Sequence, residues 1–180
     1  MGRPGFSGQA YRLDLVAGLA DGILTALTLG AGHMFLSGSQ ISVALAFRVA
    51  FASAISGAFV FLVAHYADLR GELVEAERQL NLTSHGRLAA SRLGRAAFRD
   101  ATNKAMVAST CMFAGALLPM LVGALIARPR WLPVAVSLAA LSLLGFFLAR
   151  TVWGRPWRWV LTLVLAGIVL TCLGAELKIV

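Results

Sequence analysis

Asp21 is the residue whose position calls for a chemical explanation. It stands about a third of the way along residues 13–35, LDLVAGLADGILTALTLGAGHMF, a run of 23 residues. A hydrocarbon core of roughly 30 Å takes about 20 apolar residues at 1.5 Å each, so this run is long enough to cross a bilayer. An acid at that depth costs about 2.5–3.5 kcal/mol on insertion scales, so Asp21 needs a partner, a water-filled cavity or an ion. At about 3.6 residues per turn, Asp14, Gly18, Asp21, Thr25, Thr28 and Gly32 form one small, polar stripe, and Leu15, Ile23, Leu27 and Leu29 fill the other faces. The stripe fits an ion pathway with Asp21 as the site and Asp14 and Thr25 beside it. It also fits a packing seam in which the threonines bond back to their own helix. Gly18 and Gly22 make a G-x-x-x-G pair, which lets another helix backbone approach closely.

A second set lies further on. His65, Asp68, Glu72 and Glu75 are spaced i, i+3, i+7 and i+10, so on a helix they share one slowly drifting face. Imidazole and carboxylates together suit borderline divalent metals such as Fe²⁺, Mn²⁺ or Zn²⁺. At the mouth of a span that holds an acid they would collect such an ion; a solvated helix face is the plainer alternative.

The elements that must position these residues are membrane helices. Hydrophobic residues make up 59% of the chain and charged ones 13%, with a mean hydropathy of +0.80. The soluble average is about 25% charged. Spans are expected at 13–35, 41–66, 105–127, 131–149 and 157–175. The fold class is therefore all-α: a polytopic membrane protein with five transmembrane helices in one domain, residues 11–180. A disordered tail over 1–10 precedes it. Span two runs on into the cytoplasm to about Leu80, and residues 67–104 form a cytoplasmic insertion.

Seven of the sixteen basic residues fall between the second and third spans: Arg70, Arg78, Arg87, Arg92, Arg95, Arg99 and Lys104. Three more, Arg150, Arg155 and Arg158, flank the turn between spans four and five. The positive-inside rule then places the N-terminus in and the C-terminus out, as in a bacterial inner membrane. The net charge of +8 reads as this topology together with attraction to anionic lipid. Nucleic acid is not expected as a partner, because the basic residues flank spans and form no aromatic-laced face. Leu88, Leu93 and Phe98, among arginines in 81–103, fit a short helix lying on the lipid surface. Arg48 reads as snorkelling to the interface or as a charge partner for an acid. Pro119 predicts a kink in span three, and Cys111 and Cys172 read as buried, inert thiols. There is no phosphate-cradling glycine loop, nucleophile elbow or zinc-protease helix, so the chain is not read as an enzyme and no resident cofactor is expected.

Four segments in register resemble the vacuolar iron transporter family, proton-coupled Fe²⁺/Mn²⁺ exporters. They are GLADGILTALTLGAG in span one, HYADLRGEL at the end of span two, KAMVASTCMFAGALLPML in span three and LLGFFLARTVWGRPWRWVLTLVLAGIVLTCLG at the close. The resemblance covers the chain from about Tyr11 on. It implies a homodimer whose first two spans line the pathway, with Asp21 at the position of the family's transport aspartate. Phe61 and His65 stand where the family carries a methionine and a glutamate. A histidine can replace a glutamate as a ligand, whereas Phe61 offers no thioether.

The expected function is proton-coupled export of Fe²⁺ or Mn²⁺ from the cytoplasm, with the metal as cargo. Asp21 would bind the ion or the proton, assisted by Asp14 and Thr25, while His65, Asp68, Glu72 and Glu75 load it. Partners are then the metal, protons, lipids and a second copy. The dimer rests on the resemblance and on the Gly18/Gly22 seam. The alternative is a non-transporting membrane scaffold on the same fold, which the missing methionine and the basic loop favour.

Overall fold

The computed structural model describes residues 5–32, 41–79, 92–126, 129, 131–151 and 156–176. Five helices account for nearly all of them: α1 (Gly5–Gly32), α2 (Val43–Gln79), α3 (Arg92–Leu125), α4 (Leu132–Thr151) and α5 (Pro156–Glu176). The first four contain stretches long and apolar enough to cross a membrane, while the apolar part of α5, Trp157–Leu173, is shorter.

The boundaries depart from the sequence reading in two places and agree with it in a third. α1 begins at Gly5, inside the stretch read as a disordered tail. α2 runs unbroken to Gln79, as the extension of span two requires. α3 begins at Arg92 instead of near residue 105, so residues 92–103 are the first turns of a 34-residue helix and not a separate helix on the lipid surface. Two contacts hold that extension: Asp100 pairs with Lys104 one turn later, at 3.0 Å, and Phe98 meets the Tyr66 ring edge-on at 5.7 Å. The beginning of the surface-helix reading, with His85 and Leu88, lies outside the described residues.

Helix α3 is the centre of the arrangement. α1 packs along one side of it and α2 along another, and the two touch each other little; α4 and α5 pair and close over the remaining flank of α1. Small residues make these approaches possible. On α2, Ala46, Ala50, Ala54 and Gly57 are buried against α3, and on α3 the buried set includes Ala101, Ala105, Ala108, Gly115 and Ala116. Helices that meet through alanine and glycine bring their backbones close, which is the main source of van der Waals gain in lipid. Ser109 Oγ adds a bond across the gap, donating to the Ala54 carbonyl at 2.8 Å.

The Gly18/Gly22 seam faces α3 of its own chain. A Cβ at Gly18 would strike the Ala108 carbonyl oxygen, and one at Gly22 the Met112 carbonyl oxygen; from the other side, one at Gly115 would come 2.7 Å from the Leu19 carbonyl. The seam is therefore spent within the protomer and gives no support to a dimer. Pro119 is buried within α3, which continues through it to Leu125. Cys172 is exposed on α5 and Cys111 half-buried, so of the two thiols read as buried only one is even partly so.

Candidate functional site

The face of α1 that carries the polar stripe is not uniform. Asp14 is buried, with 7% of its surface exposed, and Gly18 and Gly22 are buried on α3, while Asp21 stands on an open edge. Thr25 Oγ1 donates to the Asp21 carbonyl oxygen at 2.9 Å, and Thr28 Oγ1 donates to the Thr25 carbonyl at 2.9 Å. Both hydroxyl protons are thus used within the helix, which leaves Thr25 oxygen lone pairs beside Asp21 as acceptors for a cation. Among the described residues no cation pairs with the Asp21 carboxylate.

Two turns away along α1, Asp14 meets α2. His65 Nε2 lies 3.0 Å from Asp14 Oδ1. The approach is close but is not an aligned hydrogen bond, and the buried Asp14 Oδ2 has no hydrogen-bond partner either. Phe61 stacks on the imidazole, 6.2 Å between centroids and 21° between planes, and so holds the ring against α1. Phe61 and His65, one turn apart on α2, are therefore in contact with each other. On the α3 side, Lys104 pairs with Asp100 and lies within electrostatic range of Asp14 and Tyr11. The pairs Asp14–His65 and Asp100–Lys104 thus lie near one another at the arginine-rich end of the bundle.

The loading stripe divides. Asp68, Glu72 and Glu75 are exposed on α2, bordering a shallow depression together with Ala67, Gly71 and Ala76. His65 does not join them, because it turns inward to Asp14. Among the described residues no group of three or more histidine, cysteine, aspartate or glutamate side chains is close enough to hold a metal ion. The sites read from helical spacing are thus two acids and a threonine on α1, a histidine that belongs with them, and a solvent-facing acidic edge.

Helical spacing missed the Asp14–His65 contact, since it compares only residues of one helix. Depth would have found it. Asp14 is one residue inside the start of the 13–35 run, and His65 is one residue inside the end of the 41–66 run. Two antiparallel spans put those residues at the same level of the bilayer. Lys104, at the edge of the third run, falls at that level too. Compared with protein-family models, with curated proteins and with solved structures, the chain matches none.

Proposed function

We propose that this chain is a proton-coupled divalent-cation transporter, a divergent relative of the vacuolar iron transporters, that exports Fe²⁺ or Mn²⁺ from the cytoplasm across an inner membrane. The observation that carries the reading is Asp21: a carboxylate within a membrane-spanning stretch, on the open edge of α1, in line with the Asp14–His65 pair. A lone acid in a span is costly, and the usual return is an ion or proton path. Proton and metal compete for one carboxylate, which is the least that antiport requires. Thr25 supplies a neutral oxygen beside it, and Asp14 with His65 forms the inner station through which the cation passes. Asp68, Glu72 and Glu75 raise the local concentration of cations at the mouth.

In this reading α5 crosses the membrane as a fifth span, which puts the N-terminus in the cytoplasm and the C-terminus outside. A second copy covers the open edge of α1, so that Asp21 faces its counterpart across a shared path and not lipid. The Gly18/Gly22 seam takes no part in that contact.

A different reading rests on the lack of any three-ligand metal group among the described residues. It makes the chain a membrane scaffold without transport. Proteoliposomes under an imposed pH gradient separate the two. Flux of Fe²⁺ or Mn²⁺ that depends on the gradient and is lost in Asp21→Asn supports the transporter. Equal flux in the variant, or none from folded wild type, supports the scaffold.

A further inference from the structure

Arg48 lies far from the site just described, on the second turn of α2. Ser42 Oγ starts that helix by accepting the Leu45 N–H at 3.1 Å, so the helix end is fixed and Arg48 stands close to it. The arginine is exposed, and among the described residues no carboxylate pairs with it. Its side chain borders a groove of about 480 Å³ whose other walls are Phe47, Phe51, Ala52 and Ile55 of α2 and Phe113 of α3. Phe47, Phe51 and Ile55 are all strongly exposed, at 48%, 62% and 58%. Arg48 is the cation of this groove, and everything deeper is apolar.

The order of these residues along the helix has chemical meaning. Phe51 and Ile55 lie one and two turns further into the bilayer than Arg48, about 10 Å along the axis at 1.5 Å per residue. A guanidinium at the interface with an apolar channel leading inward from it matches an amphiphile with an anionic head and a hydrocarbon tail. A planar guanidinium binds phosphate oxygens in a bidentate manner, and these bonds are among the stronger ones in proteins. Snorkelling alone would take the guanidinium to water, but it would leave the groove below without a specific occupant.

We propose that Arg48 and this groove form a binding site for an anionic phospholipid, in the leaflet opposite the arginine-rich loop. The phosphate sits on the guanidinium, and one acyl chain lies along Phe51, Ile55 and Phe113. The inference does not depend on what the chain transports.

The test is lipid binding by the full-length chain in detergent, read by native mass spectrometry. Phosphatidylglycerol and phosphatidylcholine of identical acyl chains are titrated into wild type, Arg48→Gln, Arg48→Lys, Ala52→Trp and Arg95→Gln, each first shown to keep the wild-type melting temperature. Wild type is expected to prefer phosphatidylglycerol by roughly tenfold, the scale of one hydrogen bond to a charged group. Arg48→Gln should abolish the preference, and Arg48→Lys should keep part of it. Ala52→Trp fills the groove and should weaken both lipids, while Arg95→Gln, on the basic start of α3, should change nothing. The proposal is overturned if wild type shows no preference, if Arg48→Gln retains it, or if Arg95→Gln removes it equally. It is also overturned if oleate displaces phosphatidylglycerol at equal concentration, or if loss of Arg48 changes the oligomeric mass and not the bound lipid.

Discussion

His65 Nε2 stands 3.0 Å from Asp14 Oδ1, and this contact joins two helices that otherwise meet mainly through α3. Removing one partner leaves the other buried and unpaired, which is the expensive way to break such a pair. Because the His65 side chain keeps 22% of its surface exposed, the loss is below that of a fully buried ion pair. His65→Phe is expected to cost about 2–3 kcal/mol in detergent unfolding. Asp14→Leu combined with His65→Phe should recover part of that loss, with a coupling of about 1–3 kcal/mol in the double-mutant cycle. Additive single variants would mean that the contact holds nothing together.

Glycine at 18 and 22 is expected to be irreplaceable, because what a Cβ would meet there is the backbone of α3 and not a movable side chain. Gly18→Ala and Gly22→Ala should each destabilise by about 1–3 kcal/mol or more, the range for overpacking a tight interface. Gly71 is the internal control. A Cβ there meets nothing within 4 Å, and the residue sits inside α2, about two turns before its end, so Gly71→Ala should stabilise the helix by about 0.5–1 kcal/mol. Thermal unfolding of the three variants side by side decides the matter, and a similar sign for all three would contradict the packing described for α1.

Asp21 should show stability and activity moving in opposite directions. Its carboxylate has no cation partner among the described residues and stands on an open edge, so nothing in the fold is lost when the charge is removed. Asp21→Leu is expected to fold at least as well as wild type, with a gain of up to about 2–3 kcal/mol for the charge no longer held at membrane depth. The same variant should lose cation flux. A variant that loses both stability and flux would make Asp21 a structural acid that the fold needs.

The helical fold is legible from the sequence because long apolar runs in lipid must satisfy their backbone bonds within the segment, and the continuation of α2 beyond Tyr66 is legible in a run to Gln79 made mostly of helix formers, Gly71 apart. The start of α3 is not. Hydropathy marks where lipid begins, and residues 92–104 are too charged to register, yet Phe98 on Tyr66 and Asp100 with Lys104 carry the same helix outward. Within the candidate site, helical spacing groups Asp14, Asp21 and Thr25 on one stripe of α1, but it does not show that Asp14 is buried while Asp21 is exposed. His65 was assigned to the wrong companions, since spacing along α2 puts it with Asp68, whereas its rotation brings it to Asp14. The Gly18/Gly22 pair was read as a contact surface correctly, but a G-x-x-x-G motif does not say whether the helix it meets belongs to the same chain.

The paired extensions of α2 and α3 should behave as one unit. Phe98 packs edge-on against Tyr66, and such pairs add about 0.5–1.5 kcal/mol beyond the area they bury. In Phe98→Ala, amide exchange is expected to accelerate over residues 92–100 and 66–79 together, with little change near Met112. Acceleration confined to residues 92–100 would show that α2 stands without support from α3 and that the two extensions are independent.

Helix α5 tests how many times the chain crosses the membrane. Its apolar portion is only 17 residues by the span Trp157–Leu173, but the helix itself has 21 residues. At 1.5 Å per residue that is about 31 Å, the thickness of the hydrocarbon core. Trp157, Arg158 and Trp159 cluster at one end, as interfacial anchors do. Along its length α5 is tied to α4 and α1, both within the bundle: a Cβ at Gly145 would lie 3.0 Å from Val160 Cα, and one at Gly167 would meet Leu141 and Leu27. Its other face exposes Leu161, Leu165, Ile168, Val169 and Leu173, which only lipid or another apolar surface can cover. A helix so placed should span. With both native cysteines replaced by serine, single cysteines at Ser7 and Lys178 are expected to react with an impermeant maleimide from opposite sides of the membrane. Labelling from the same side would leave α5 on the surface and reduce the count to four.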